Sequence, residues 1–249
     1  MTNHDAIVTD EAQLRIDLAA AIRLSCREGW HEGVANHFSA AVSADGRKFL
    51  VNPRWVHWSR VRASDLLLCD ADDPDTMNRP GAPDPSAWSI HSAIHRNLPQ
   101  ARVALHMHPP HCTALAGLKD PRIQPIDQVT ARWHGRLAYD LSFSGIAHDA
   151  DEGERIASTV GNHGAVMMQN HGVTTFGATV AEAWDALYHL ERAARTMVMA
   201  YSTGQALAVM DDALAEETAA GWEVYKDAEF AHFEEMKRVL DAEAPDYAD

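Results

Sequence analysis

Three histidines have the residue type and spacing of one metal site. His106 and His108 close an apolar run that begins at Ala101, and His171 lies in the short stretch Asn170–Gly172 between two apolar runs. Residues two apart on a strand point to the same face, so both imidazoles of the pair can reach one ion. Neutral imidazole binds several divalent transition metals, and three protein ligands leave positions open for a substrate. The spacing therefore indicates a catalytic metal site, although some of the 15 histidines will pair by chance.

The elements around these histidines follow from the apolar pattern. The run before His106 predicts a buried strand, and Pro109 and Pro110 prevent its continuation while suiting the first turn of a helix. His106 and His108 are then at the C-terminal end of a strand, where clefts form in α/β folds. His171 is expected in the bend between two short strands.

Further along the chain, periodicity and turn signals predict the remaining elements. A hairpin is expected over 38–52, and strands over 66–69, which we expect to be buried, and 137–143. Ser86 is the predicted cap of one helix and Thr179 the predicted cap of a long one. Helices are predicted over 10–27, 86–97, 109–117, about 149–161 and 179–201, with a further tail helix anchored by Trp222, Tyr225, Phe230 and Phe233.

Composition limits the class of protein. A chain of 249 residues that is 46% hydrophobic can form one large domain with a substantial core. We find no apolar segment of transmembrane length and no signal-peptide pattern at the polar start, so we expect a cytoplasmic protein without a membrane partner. The three cysteines are scattered, which predicts reduced thiols.

The charge is uneven along the chain. The net charge is −15, and residues 210–249 hold 13 acidic and 3 basic residues, which is 3 − 13 = −10 of that total. This balance argues against a nucleic-acid partner, whose phosphates require basic patches. We predict a domain over residues 1–209 followed by an acidic helical tail over 210–249.

Several short motifs occur in the order found in one known family. They are Gly-Val-Ala-Asn-His-Phe-Ser at 33–39, Phe-Leu-Val-Asn-Pro at 49–53, Ala-Ser-Asp-Leu at 63–66, Ile-His-Ser-Ala-Ile-His at 90–95, His-Met-His at 106–108 and Asn-His-Gly at 170–172. From residue 14 to about 201 the chain resembles the class II aldolase/adducin family. The resemblance implies a three-layer α/β/α fold around a mostly antiparallel sheet, with His106, His108 and His171 as ligands of one divalent ion (zinc, manganese, iron or cobalt). It also implies a homo-oligomer, a tetrameric ring with active sites at subunit interfaces.

Two positions depart from the aldolase pattern. The resemblance places the aldolases' catalytic glutamate at Ala87, whose methyl group can neither take a proton nor bind a metal. The nearby acids Asp84 and Glu32 do not match that position. Where aldolases have a small phosphate-binding turn, this chain has Pro53-Arg54-Trp55, and the bulk of Trp55 argues against a phosphorylated sugar.

A decarboxylase accounts for both departures. Decarboxylation starts from an existing anion, so it needs no base to remove a hydroxyl proton, and a metal can accept the developing charge. The resemblance extends to family members that decarboxylate hydroxylated aromatic acids and also lack the glutamate. We therefore expect a metal-dependent lyase whose partner is a small carboxylic acid substrate. Arg54 is expected to bind a carboxylate of the substrate. Ser86, Trp55 and Trp88 are expected to contact the substrate, and Trp58 is another candidate for an aromatic wall of the substrate pocket.

Other assignments remain open. His57 is the preferred proton donor, whereas His37 is expected to be structural. His111 is expected to be a helix or supporting residue, and His91 and His95 to have packing roles. Gln128 and Arg132 fall near where the family supplies an active-site acid. The alternative functions are an aldolase acting on an unphosphorylated hydroxy-keto acid, an iron-dependent oxygenase and a non-catalytic adducin-like interaction domain. The intact metal histidines argue against the last of these.

Overall fold

A single mixed sheet forms the centre of the molecule. The computed structural model describes residues 10–143, 145, 150–225 and 227–249. Within them the strands are β1 (His37–Ala41), β2 (Lys48–Val51), β3 (Leu67–Asp70), β4 (Val103–Met107), β5 (Leu137–Asp140), β6 (Ala165–Met168) and β7 (Val173–Gly177). They pair in the order β3-β2-β1-β4-β7-β6-β5. Only β5 and β6 pair in parallel, which confirms the expected mostly antiparallel sheet.

Helices cover both faces of this sheet. They are α1 (Glu11–Arg27), α2 (Pro85–Asn97), α3 (Pro110–Ala116), α4 (Gln128–Ala131), α5 (Ala150–Val160), α6 (Val180–Ser202), α7 (Asp212–Trp222) and α8 (Asp227–Glu243). Ile90 of α2 and Ile156 of α5 pack with Ala104 on one face. Leu18 of α1 and Trp184 of α6 belong to the larger core on the other face. The predicted three-layer α/β/α fold is confirmed. None of the helices in the described part of the chain has both the length and the hydropathy needed to cross a bilayer.

The alternation along β4 decides which layer holds the site. Leu105 and Met107 belong to the core under α1 and α6, whereas Ala104 faces α2 and α5. Because the side-chain period is two, His106 shares the face of Ala104. In the antiparallel register His37 of β1 lies opposite His106, so their side chains are neighbours on that face.

Some element boundaries differ from the sequence predictions. Asp84, and not Ser86, caps α2: its carboxylate accepts a hydrogen bond from the Ser86 backbone N–H, and Pro85 occupies the first turn, where the missing N–H costs nothing. Leu68 of β3 is 47% exposed because β3 is an edge strand, so the prediction of a buried strand was wrong there. The predicted start of α5 at residue 149 lies outside the described residues, as do residues 1–9.

The acidic C-terminal segment folds back onto the domain. Phe233 and Leu240 of α8 are buried in the core beside α6 and α1. Phe233 was a predicted anchor, but Tyr225 and Phe230 are 70% and 42% exposed, so those two predictions were wrong. Tyr225 lies in the turn before α8, and Phe230 lies on the side of α8 that is turned away from the core. The division of the chain at residue 209 stays a prediction.

Candidate metal centre

The three histidines predicted as ligands come together at the end of β4. The ring centroids of His106, His108 and His171 are 4.8 to 5.0 Å apart, and the Nε2 atoms of His106 and His108 are 3.1 Å apart. One nitrogen from each ring lies within 4.8 Å of the others. His106 is buried, whereas His108 and His171 are partly exposed. The cluster therefore has a closed side against the sheet and an open side toward solvent, as a catalytic metal site requires.

Two local backbone features bring His171 to the pair. Asn170 adopts a positive φ of 56°, a conformation that asparagine tolerates better than most residues, and this turns the chain tightly between β6 and β7. Gly172 lies against His108 so closely that a Cβ atom there would be 2.4 Å from the ring's Cδ2 and 2.6 Å from the carbonyl oxygen of Met107. The Asn-His-Gly sequence is thus required by geometry as well as by chemistry.

Burial disfavours the charged form of two of the three imidazoles. Burial, reinforced by the neighbouring histidines, holds the pKa of His106 well below its ordinary value. Burial and the proximity of His108 lower the pKa of His171 to about 4. A neutral imidazole has a lone pair available for a metal ion, so no deprotonation is needed near neutral pH.

Hydrogen bonds orient two of the three rings. The carboxylate of Glu32 accepts a hydrogen bond from Nδ1 of His108 at 2.6 Å. Nδ1 of His106 is 3.1 Å from the carbonyl oxygen of Val173 and 3.2 Å from Oγ1 of Thr174. When Nδ1 is the donor, Nε2 carries the lone pair, so both Nε2 atoms are set to bind one ion. These residues fit a divalent metal.

From the sequence, Glu32 is a nearby acid that does not match the position of the missing glutamate. The structure gives it a different place, behind His108, in the arrangement of carboxylate and histidine that supports metal ligands. A sequence signal for this existed, because Glu32 immediately precedes the motif at 33–39. Its spacing from His108 is 76 residues, and only the fold shows that they touch.

A buried polar network lies behind His106. His37 stacks on His106 with centroids 4.6 Å apart, and its Nδ1 is 2.8 Å from Nε2 of His91. Ser39 Oγ is 2.6 Å from Nδ1 of His91 and 2.8 Å from Nε2 of His95. All three histidines are buried, which agrees with the structural and packing roles expected for them. The connection among them was not predicted.

At the start of α2 lies Ala87, the position that the resemblance assigns to the aldolase glutamate. Ala87 is 1% exposed and packs in a cluster with Phe49. Ser86 Oγ donates to the Asp84 carboxylate at 2.6 Å and is 3.3 Å from Nε2 of His37. Ser86 therefore contacts His37, and the His37 ring in turn stacks on His106. Trp88 stacks on Phe49, with centroids 6.1 Å apart.

The segment that follows β2 is more exposed. Arg54 is exposed, and Trp55 is 69% exposed with a positive φ of 65°. The Nδ1 atom of His57 accepts a hydrogen bond from the Ser59 backbone N–H at 3.2 Å, and its ring meets that of His31 edge-on, with centroids 5.0 Å apart. The substrate and catalytic roles of Arg54, Trp55, Trp88, Ser86 and His57 stay predictions. Trp58 is fully buried against Phe38, so it cannot form a substrate wall, and that candidate was wrong.

Three further residues were placed by the fold. Phe143 is half exposed and its ring centroid is 6.4 Å from that of His171, which makes it an aromatic neighbour that the sequence did not reveal. His111 contacts Glu191 of α6 at 2.7 Å, and that carboxylate also accepts the first N–H groups of α3. His111 is thus a supporting residue, as expected. Arg132 donates to Asp185 and Glu229.

Comparisons with known proteins agree with this fold. Residues 16–198 match the class II aldolase and adducin N-terminal domain. A putative aldolase class 2 protein of Caulobacter vibrioides is 33% identical over 246 residues, covering 96% of this chain and 93% of that protein. The decarboxylase NovR of Streptomyces niveus is 27% identical over 182 residues, covering 72% of this chain and 67% of that protein. The crystal structure of an aldolase II superfamily protein from Pseudomonas syringae superposes with a TM-score of 0.87 at 29% identity, covering 98% of each chain.

Proposed function

This chain belongs to the class II aldolase and adducin family, and we propose that it is a metal-dependent decarboxylase of a hydroxylated, aromatic carboxylic acid. The family and the fold support a lyase. The observation that carries the choice of decarboxylation is the apolar, buried Ala87 at the position that the resemblance gives to the aldolase base, in a chain that keeps a cluster of three histidines able to hold a metal ion. The resemblance to NovR supports the same choice.

The two acids that the sequence suggests near the missing glutamate, Glu32 and Asp84, are already engaged as hydrogen-bond acceptors. Glu32 accepts from His108, and Asp84 accepts from both the side chain and the backbone of Ser86. A carboxylate with these contacts has its oxygens engaged in orienting its donors, which makes it a poor replacement for a mobile general base. A reaction that needs no base to start is consistent with this arrangement.

The steps assigned to the chain are binding, orientation and protonation. His106, His108 and His171 hold the ion, which when bound supplies positive charge to the substrate's hydroxyl and carboxylate oxygens. Arg54 pairs with a second anionic group of the substrate, and Ser86, Trp55 and Trp88 contact the ring. The bond between the ring carbon and the carboxylate carbon breaks, carbon dioxide leaves, and the electron pair stays on the ring carbon.

His57 is the residue to which we assign protonation of that carbon. Ser59 N–H donates to its Nδ1, so the neutral ring carries its proton on Nε2. The ring is exposed at the surface beside His31, on the segment that also carries Arg54 and Trp55. In this assignment His57 acts as the imidazolium, whose Nδ1–H can donate to Ser59 Oγ 2.8 Å away. Its Nε2–H transfers a proton to the ring carbon, which leaves the neutral imidazole, and solvent then returns a proton to the ring.

The assembly and location of the protein complete the proposal. Family resemblance suggests a homotetramer with active sites between subunits, and Trp55 and Phe143 are large exposed aromatic residues near the segments that form the site. Burial of such residues between subunits would remove apolar surface from water. We place the enzyme in the cytoplasm. Light scattering on the purified protein measures the oligomeric state, and a monomer at micromolar concentration would contradict the ring.

A panel of hydroxyaromatic acids tests the reaction type. The metal-loaded protein is incubated with each acid, with and without oxygen, and carbon dioxide and organic products are measured. We expect carbon dioxide in both atmospheres and a product lacking one carboxylate. Release that needs oxygen would indicate the iron-oxygenase alternative instead, and formation of an aldehyde or pyruvate from hydroxy-keto acids would indicate an aldolase.

Arg54 can be tested separately from the metal. Arg54→Met should raise KM for a dicarboxylic substrate by about tenfold or more, since one charge-assisted hydrogen bond contributes roughly 1.5–3 kcal/mol. Arg60→Met is the matched control, because Arg60 is an exposed arginine on the same segment. An unchanged KM in Arg54→Met would remove Arg54 from the substrate site.

A further inference from the structure

A second group of metal-binding side chains lies between helices α6 and α8, away from the three histidines. Asp185 and His189 are one turn apart on α6, and His232 projects from α8. Nδ1 of His232 is 2.8 Å from Oδ1 of Asp185, and Nδ1 of His189 is 3.3 Å from Oδ2. One ligand atom from each residue lies within 4.8 Å of the others. Asp185 is buried and both histidines are partly buried.

These distances are close to those between neighbouring ligand atoms around one metal ion. Bonds of about 2.0–2.1 Å from zinc to nitrogen or oxygen place neighbouring tetrahedral ligands about 3.3 Å apart. The three groups are therefore close enough to share one ion. Two imidazoles and one carboxylate form a donor set of the zinc, cobalt or nickel class, and a fourth position remains for water.

The charges around the group favour a cation. Burial acts to raise the pKa of Asp185, but hydrogen bonds from His189 and His232 and the charge of Arg132 lower it overall, so the carboxylate is ionised. Arg132 donates to Asp185 at 2.9 Å and to Glu229 at 3.0 Å. Apart from the histidines, the two carboxylates and the guanidinium leave one negative charge, which a divalent ion would turn into one positive charge.

Arg132 supports the carboxylate as an outer partner. Its guanidinium bonds Oδ2, stacks over Trp222 at 5.0 Å and bridges to Glu229. Oδ1 faces His232. Hydrogen bonding of a ligating carboxylate by a second residue is typical of metal sites, because it fixes the ligand's direction. The arginine thus holds Asp185 in place without covering the oxygen that His232 approaches.

An opening leads to the group from solvent. A cavity of about 210 Å³ is lined by Asp185, His189 and His232 together with aromatic residues of α6 and of the segment before α8. The aromatic lining residues are Tyr188, Trp222 and Tyr225. This volume admits a hydrated ion, so the site has the entry path that a functional metal site needs.

We propose that Asp185, His189 and His232 form a second divalent metal site that fastens α8 to α6. His189 and His232 are 43 positions apart in the numbering, and an ion held by both closes that loop onto the domain. The site is structural, and it is independent of the proposed decarboxylation. It would stabilise docking of the acidic C-terminal segment in proportion to the free metal concentration.

The test uses a chain in which the first site is removed. The His106→Ala/His171→Ala variant is stripped with chelator and titrated with Co²⁺ and Zn²⁺. We expect one ion per chain, with visible cobalt absorption of tetrahedral type, and a rise in Tm with Zn²⁺. Adding His232→Ala should weaken binding by about 100-fold and abolish the Zn²⁺-dependent rise in Tm, since even an outer partner of a ligand is worth 10–100-fold.

A matched control variant and a direct measurement on α8 distinguish loss of the metal site from loss of the fold. His134→Ala, which removes a partly exposed histidine outside both clusters, should leave cobalt binding unchanged. Hydrogen exchange should show Zn²⁺-dependent protection of α8 in the background variant. Circular dichroism identifies a variant that has failed to fold, and Asp185→Asn then serves in place of His232→Ala. If the background variant binds no ion, or binds one equally well after His232→Ala or Asp185→Asn, the second site is ruled out.

Discussion

At the scale of single residues, the site depends on groups that orient the histidines as much as on the histidines themselves. His108 has its Nδ1 committed to Glu32, and His106 has its Nδ1 committed to Val173 and Thr174. These contacts fix which nitrogen faces the ion. Glu32 therefore belongs to the metal site, although it is not one of the ligands.

Glu32→Gln should weaken metal binding at the three-histidine site. Glutamine keeps the size of the side chain but loses the charge that strengthens the hydrogen bond to His108. We expect the dissociation constant for Zn²⁺ to rise by about 10- to 100-fold, measured by competition with a chromophoric chelator. Glu28→Gln, at the end of α1, is the control and should change nothing. Equal affinities in wild type and Glu32→Gln would contradict this role.

What the sequence could predict at this scale is limited by distance along the chain. The three candidate ligands could be predicted because His106 and His108 share a strand face and His171 lies in a recognisable turn. Glu32 and Phe143 contact the cluster only after distant segments are brought together, and no local pattern encodes that. The prediction that Trp58 forms a substrate wall was wrong because a tryptophan beside a motif can equally be a core residue.

At the scale of elements, the antiparallel pairing of β4 with β1 and β7 places the site. His106 lies opposite His37 on one side and Thr174 on the other, so a ligand, its stacked neighbour and its hydrogen-bond partner come from three adjacent strands. The periodicities predicted most of these elements. Register was not predicted, because it depends on pairing between segments far apart in the chain.

Gly172→Ala tests the close approach of the β6–β7 turn to His108. An added methyl group would be 2.4 Å from the His108 ring, so the ring or the turn must move. We expect Zn²⁺ affinity to fall about tenfold or more, as for other displaced ligands, while circular dichroism stays native. Gly164→Ala is the control, since a Cβ there meets nothing within 4 Å. Unaltered affinity in Gly172→Ala would show that the turn can relax without moving His108.

At the scale of the whole molecule, buried histidines make stability depend on pH. Burial lowers the pKa of His91 to about 4 from an ordinary value of 6.5. Between these values the unfolded chain binds a proton that the folded chain does not. The free energy of unfolding therefore decreases as pH falls from 7 toward 4, and the stability is fully present only above the unfolded pKa.

His91→Gln should flatten that dependence. The His91 ring alone accounts for about 2 kcal/mol of lost stability between pH 7.5 and pH 5, because each unit of pKa shift is worth about 1.4 kcal/mol. Urea denaturation of metal-free protein at several pH values measures the slope, which is informative even if the variant is less stable overall. His163→Gln, which removes a less buried ring, should keep most of the wild-type slope. Identical slopes in wild type and His91→Gln would contradict a neutral buried His91.

The most direct test of the account is a metal titration of carbon dioxide release. The His189→Ala/His232→Ala variant retains only the three-histidine site, and it is stripped of metal and given the best acid from the substrate panel without oxygen. Carbon dioxide release should rise in proportion to added metal and level off at one ion per chain, and His171→Ala should abolish it. Carbon dioxide release by the metal-free protein, or an aldehyde product in place of a decarboxylated acid, would contradict a metal-dependent decarboxylase.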